Sequence, residues 1–177
     1  RYEDGDIKIF ELSRIYLPRP GDLPDERETL CGLLSGPMRD ESWLGSVEDS
    51  DFFTVKGVVE WLLSQLSLSA RFESGSDRGL HPVKQAVIVI DGNSVGVLGE
   101  VNPEVQQSFK IADPVYLFEI DLAALLPLAA SRKIFKPVPR FPAVIRDMAL
   151  VLTEVITHRQ VIDIIEVFPL VGQGGIF

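Results

Sequence analysis

The sequence predicts an α+β fold, an antiparallel sheet with helices packed between its strands. Three observations carry this. Short apolar or alternating runs bounded by Gly, Pro and Asp recur along most of the chain. Two of them flank "DGNS" at residues 91–94, a hairpin signal. One long amphipathic helix follows Asp51, and its apolar stripe must lie on a sheet or a partner helix. Strands and helices mixed in this way make a layered α+β domain.

The elements follow in order. "IKIFEL" sets Ile7 and Ile9 against Phe10 and Leu12, so both faces are apolar, which predicts a buried strand. "RPGDLPDE" is a polar loop, and "ETLCGLLSG" returns antiparallel to the first strand. "PMRDESWLGSVEDS" reads as a surface loop. Phe52, Val55, Val59, Leu62 and Leu66 then form the helical stripe, with Ser50 or Asp51 placed to cap it. "KQAVIVIDGNSVGVLGEV" is the hairpin, and "PEVQQSFKI" is a short helix with Pro103 in its first turn. In "PVYLFEIDL", Tyr116, Phe118, Ile120 and Leu122 face one way, and Glu119 and Asp121 the other.

Composition shifts at "SRKIFKPVPRFPA", where Pro137, Pro139 and Pro142 keep the chain extended. Beyond it the pattern predicts a strand over about 145–153 and a helix over about 158–168. Thr157 and Gln160 supply a capping box for that helix. A lone strand and helix cannot close a core, so this second module reads as incomplete. Both chain ends read as cut.

A net charge of −9 excludes a chain that coats nucleic acid over its whole surface, so any polyanion contact is local. The candidates are Arg132, Lys133, Lys136, Arg140 and Arg146, crowded together and opposed only by Asp147. Cys31 is the only cysteine, which excludes an internal disulfide and a zinc ribbon. The longest apolar runs fall far short of a membrane span.

Other chemistry is thin. His81 and His158 have no metal-ligand partner at helical or hairpin spacing, and His81 precedes Pro82 at a turn where a structural role is favoured. Cys31, in an apolar strand, is a poor nucleophile. The glycines of "GNSVGVLGE" do not make a phosphate loop, because Glu100 follows Gly99 where Lys is required; tight turns and close packing explain them. Glu48, Asp49 and Asp51 suit helix capping better than a metal, and Glu119 and Asp121 suit a solvated face. No catalytic, cofactor or metal residue is assigned.

Four stretches together resemble one family, the β subunit of bacterial phenylalanine–tRNA ligase, a class II aminoacyl-tRNA synthetase. "IKIFELSRIY" is similar to the family's strand after its subunit-interface helix, with Ser13 where the family has Gly. "DSDFFTVKGVVEWLL" resembles its Asp-Phe-Phe-x-x-Lys-Gly helix start. "LHPVKQAVIVIDGNSVGVLGEVNPEV" resembles its His-Pro turn, hairpin and following helix. "RFPAVIRDMALVL" resembles the opening of its ferredoxin-like anticodon-binding domain.

The resemblance implies a class II synthetase-like antiparallel sheet over 1–130, a Pro-rich basic linker over 131–143, and the start of a truncated ferredoxin-like domain over 144–177. It implies a non-catalytic core that scaffolds a catalytic α subunit and positions tRNA in the cytoplasm. ATP and magnesium would serve the holoenzyme, with no cofactor in this part and no membrane partner. The isolated chain is expected to self-associate.

The residues agree with a silent site. A class II site needs an arginine on the ATP α-phosphate. "ARFES" offers Arg71 and Glu73 with no matching strand–loop–strand after them, and Glu100 puts negative charge where an adenylate wants positive. Two rival readings stay open: a class II-like ligase with a degenerate ATP site built on Arg71 and Glu73, and a small-ligand regulatory module unrelated to tRNA.

Overall fold

The computed structural model describes residues 7–38, 49–129, 147–153 and 155–167. The chain divides into two compact units, Arg1–Lys133 and Ile134–Phe177.

The first unit is built on six strands: β1 (Ile7–Leu17), β2 (Asp25–Ser35), β3 (Arg71–Ser74), β4 (Leu80–Ile90), β5 (Asn93–Val101) and β6 (Val115–Asp121). They lie in the order β1-β2-β6-β5-β4-β3. Every neighbouring pair is antiparallel. Helices α1 (Phe52–Gln65), α2 (Pro103–Phe109) and α3 (Leu122–Leu125) fill the connections.

The predicted hairpin is the tightest of these. Asp91 and Gly92 both take positive φ, 49° and 80°, and Ile90 pairs directly with Asn93. That is the backbone of a two-residue turn whose twist matches the strands it joins.

Register assigns every side chain a face, because residues directly opposite share one and successive residues alternate. Phe10, Gly32, Phe118, Leu98 and Ala86 form one cross-sheet row. The next row, Glu11, Cys31, Glu119, Val97 and Val87, points the other way. Helix α1 lies over β5 and β6 on the first face, burying Val55, Val59 and Leu63 completely. Ile88, Leu98, Phe118 and Ile120 meet them in the core. Of the expected stripe, Phe52, Leu62 and Leu66 pack only partly against this core. Leu63, four residues after Val59 and outside the expected stripe, is buried in their place.

Asp51 caps α1. Its carboxylate accepts from the Thr54 amide at 2.7 Å, and the Asp51 amide donates back to Thr54 Oγ1 at 3.2 Å. Ser50, the other candidate cap, is buried and donates its hydroxyl to the Gly36 carbonyl instead. Helix α2 starts as expected, with Pro103 in its first turn and Asn102 Oδ1 accepting from the Glu104 amide.

Two features depart from expectation at the sheet's edges. Strand β1 forms, but it is not buried: Phe10 is 79% exposed and Leu12 64%. Strand order explains this. β1 lies outermost, and α1 and α3 pack mainly over the inner strands β2, β5 and β6. The other departure is β3, a short edge strand hidden in "ARFES". Phe72 alone turns inward there, under α1, with the Lys56 ammonium 4.7 Å from its ring centre.

The outward side of α1, which includes Phe53, Gly57 and Trp61, stands outside this packing. Gly57 sits mid-helix, where glycine costs about 1 kcal/mol relative to alanine. A Cβ there would meet nothing within 4 Å.

In the second unit, residues 147–153 belong to no strand, against the expected strand over 145–153; positions 145 and 146 lie outside the described residues. A strand needs a neighbour to pair its amides, and none pairs with this stretch among the described residues. Helix α4 (His158–Val167) forms as expected. Its capping box is present, Thr157 donating its amide to Gln160 Oε1 at 2.8 Å and Gln160 its amide to Thr157 Oγ1 at 3.3 Å.

Candidate functional site

The sheet face opposite α1 is the natural place for a ligand or partner, since no helix described here lies on it. Its floor is apolar and half-buried: Val87, Val89, Val97, Leu117, Leu33 and Cys31. Its charges are mainly negative. Register places Glu11, Asp25, Glu73, Glu119 and Asp121 on this face, against Arg27 and Arg71.

Arg27 is already committed, lying 3.0 Å from Asp25 and 3.6 Å from Asp121. Its hydrogen bond, with help from Arg19, holds the Asp25 carboxyl below its usual value. Asp121 in turn accepts from the Ala123 and Ala124 amides, capping α3. Burial, then the charges of Glu119 and Glu11, push the Cys31 thiol up, which makes it a weaker nucleophile. The face therefore repels anions.

Arg71 and Glu73 both project to this face, at its β3 edge, and both are exposed. A strand–loop–strand does continue from them, which corrects the expectation that none would: β3 runs through a short loop into β4. The loop is pinned by Gln85, buried on the same face. Gln85 Oε1 accepts from the Asp77 amide at 2.7 Å, and Nε2 donates to the Asp77 and His81 carbonyls at 3.1 Å each. Sequence reasoning passed over Gln85. The signal was its place in "KQAVIVI", one residue out of phase with the buried Ala86, Ile88 and Ile90.

Glu100 also needs correcting. It does not face the open side. Register pairs it with Tyr116 and turns it to the face that carries α1. There it is buried, with Lys84 Nζ at 2.6 Å from its carboxylate and a hydrogen bond from Tyr116. Burial first, then the Glu100 charge, pushes the Tyr116 phenol up to about 12.

The remaining candidates fall as follows. His81 is structural, its Nδ1 accepting from the Val83 and Lys84 amides at 3.1 and 3.2 Å. His158 is exposed at the start of α4. Gly96 and Gly99 serve close packing: a Cβ on Gly96 would lie 2.2 Å from the Glu119 carbonyl, and one on Gly99 2.6 Å from that of Lys84. Asp49 bridges to Pro37. Glu48 lies outside the described residues, as do Arg132, Lys133, Lys136, Arg140 and Arg146. Among the described residues no His, Cys, Asp or Glu cluster could hold a metal, and no helix is long and apolar enough to cross a membrane.

This antiparallel sheet with its flanking helices resembles the class II aminoacyl-tRNA synthetase fold. Two solved structures share its fold, both of pyrrolysyl-tRNA synthetase from Desulfitobacterium hafniense. They match at TM-scores of 0.52 and 0.50 and identities of 15% and 16%, over 72% of this chain and 43% of theirs. The chain belongs to the phenylalanyl tRNA synthetase beta chain CLM domain family, whose model matches residues 2–122.

Its curated relatives are phenylalanine–tRNA ligase beta subunits. The phenylalanine–tRNA ligase beta subunit of Dehalococcoides mccartyi (strain CBDB1) is 42% identical over 177 residues, all of this chain and 22% of the relative. That of Symbiobacterium thermophilum is 40% identical over 157 residues, 87% of this chain and 18% of the relative. That of Halalkalibacterium halodurans is 37% identical over 163 residues, 89% and 20%. The chain thus spans about a fifth of the length of these relatives.

Proposed function

We propose that this chain is the non-catalytic, synthetase-like core of a phenylalanine–tRNA ligase beta subunit. It scaffolds a catalytic alpha subunit, in the cytoplasm, for ATP-dependent attachment of phenylalanine to tRNA. The open sheet face carries the argument. On a class II sheet the reacting anions need fixed positive charge, whereas this face gathers carboxylates around an apolar floor. Arg27 there is already held by Asp25 and Asp121.

The alpha subunit has a ready surface in β1. Among the described residues its outer edge pairs with no strand, and Ile9, Phe10, Leu12 and Tyr16 are exposed along it. Unpaired edges and large apolar exposure mark association sites. The same surface favours self-association of the chain alone. ATP and magnesium belong to the alpha subunit's chemistry in this reading. The tail from residue 144 opens a ferredoxin-like anticodon-binding domain in this reading, and Arg132, Lys133, Lys136, Arg140 and Arg146 are the candidate tRNA contacts.

A specific observation keeps one rival in view, since Arg71 and Glu73 do stand on a strand–loop–strand at the open face. Pyrophosphate exchange with ATP and phenylalanine tests both readings. The chain should give background exchange only, unchanged by Arg71→Ala. Exchange above background that Arg71→Ala abolishes would establish the degenerate ATP site instead.

A further inference from the structure

Strand β4 carries an irregularity that one of its own side chains holds shut. Its pairing with β5 jumps from Leu80 opposite Val101 to Gln85 opposite Gly99, so His81, Pro82, Val83 and Lys84 bulge out against Glu100 alone. Pro82 has no amide to give. The Val83 and Lys84 amides lie outside the ladder and donate to His81 Nδ1 instead, at 3.1 and 3.2 Å. Accepting from the amides two and three residues ahead is ordinarily the work of Asn, Asp, Ser or Thr. An imidazole differs in one respect. Its nitrogen accepts only while it carries no proton, so this turn requires the neutral ring with its hydrogen on Nε2.

We propose that His81 is an acid-released latch: protonation at Nδ1 frees the Val83 and Lys84 amides and opens the bulge at 81–84. What the bulge holds gives the latch its reach. Lys84 Nζ lies 2.6 Å from the carboxylate of Glu100, which is buried. The His81 carbonyl accepts from Gln85 Nε2, and Gln85 is the side chain that pins the β3–β4 loop. Opening the turn withdraws the cation from a buried carboxylate on one face of the sheet and slackens the loop on the other.

The sign follows from where a proton can go. The latched turn has no place for one on Nδ1, whereas the open turn has, so acid favours the open form. The latch is whole above the imidazole range and lost as pH falls through it, with the open population rising up to about tenfold per pH unit. The other titratable groups around the turn have partners of their own. Asp77 in the β3–β4 loop accepts from the Gly79 amide, Asp51 at the start of α1 from the Thr54 amide, and Glu100 on β5 is held by Lys84. Carboxylic acids as a class ionise in a more acidic range than imidazoles. Arg78 and Lys84 are the cations beside the turn, and their class titrates on the alkaline side.

Heteronuclear NMR of the full 177-residue chain tests the latch. At about pH 8 the His81 ring should show its hydrogen on Nε2. Between about pH 8 and about pH 5 the Val83 and Lys84 amide signals should move in step with the ring. Their exchange with solvent, corrected for its intrinsic pH dependence, should rise about tenfold or more. His158, exposed at the start of α4, should titrate without moving either amide. His81→Asn offers an acceptor of similar reach that takes up no proton in this range, so it should keep both amides protected throughout. His81→Ala should leave them exchanging fast at either end. A ring with its hydrogen on Nδ1, or a protonated ring with both amides still protected, would overturn the proposal. So would a His81→Asn chain that shows the same acid step as the parent.

Discussion

Tyr116 shows how one buried residue sets a pH limit. Its phenol, ordinarily at 10, is pushed up to about 12 by burial and then by Glu100. The folded state keeps a proton that the unfolded chain gives up near pH 10. The stability contributed by the neutral phenol is therefore whole below pH 10 and lost as pH rises towards 12, on the order of 2–3 kcal/mol in all. Tyr116→Phe should cost about 1 kcal/mol at pH 8, the worth of the hydrogen bond to Glu100. Between pH 10 and 12 the gap should close and then reverse, because the variant has no proton to lose. Urea denaturation of both chains across that range checks it; parallel stability curves would refute the assignment. Tyr116 was legible in sequence as an inward residue of an alternating strand. Its partner was not, because the faces of Glu100 and Tyr116 are fixed only by the register between β5 and β6.

At the scale of elements, what local pattern controls was readable and what strand order controls was not. The Asp91–Gly92 turn, the α1 stripe, a cap at Ser50 or Asp51 and the Thr157–Gln160 capping box rest on residues a few positions apart, so periodicity and cap chemistry reveal them. β1 has the same local signature as a buried strand. Whether it is buried depends on its place in the order β1-β2-β6-β5-β4-β3, which no window of sequence contains. Short β3 escaped because a single inward residue, Phe72, gives no periodicity to read. The exposure of β1 is itself testable. Replacing Phe10 and Leu12 by lysine removes exposed side chains with little packing to lose, so folding stability should change by only about 0.5 kcal/mol. Binding of the complete beta subunit to the alpha subunit should weaken at least tenfold, as when interface aromatics are removed. Titration calorimetry of the two subunits gives the answer. Unchanged affinity would mean that the alpha subunit docks elsewhere.

For the whole molecule the question is how a chain of net charge −9 could take part in handling tRNA. The acidic open face of the sheet repels phosphate, so we propose that any tRNA contact within this chain lies in a basic segment instead. The one local excess of cations in the sequence is Arg132, Lys133, Lys136, Arg140 and Arg146. If these residues meet phosphates, each contact releases condensed counterions, and the logarithm of affinity falls with that of salt by about 0.7–0.9 per phosphate neutralised. A solvated linker gives no such contribution, and an exposed pairing such as Arg146 with Asp147 is worth only about 0–1 kcal/mol. The measurement belongs in the complete alpha–beta enzyme, with tRNA affinity followed over a salt series. Arg140→Ala with Arg146→Ala should lower the salt slope by about 2, roughly one for each lost phosphate contact. The double variant should also raise the tRNA concentration needed for half-maximal charging while leaving adenylate formation unchanged. Should slope and charging both match the parent enzyme, the cluster only solvates a linker, and the tRNA contact lies in parts of the subunit beyond this chain.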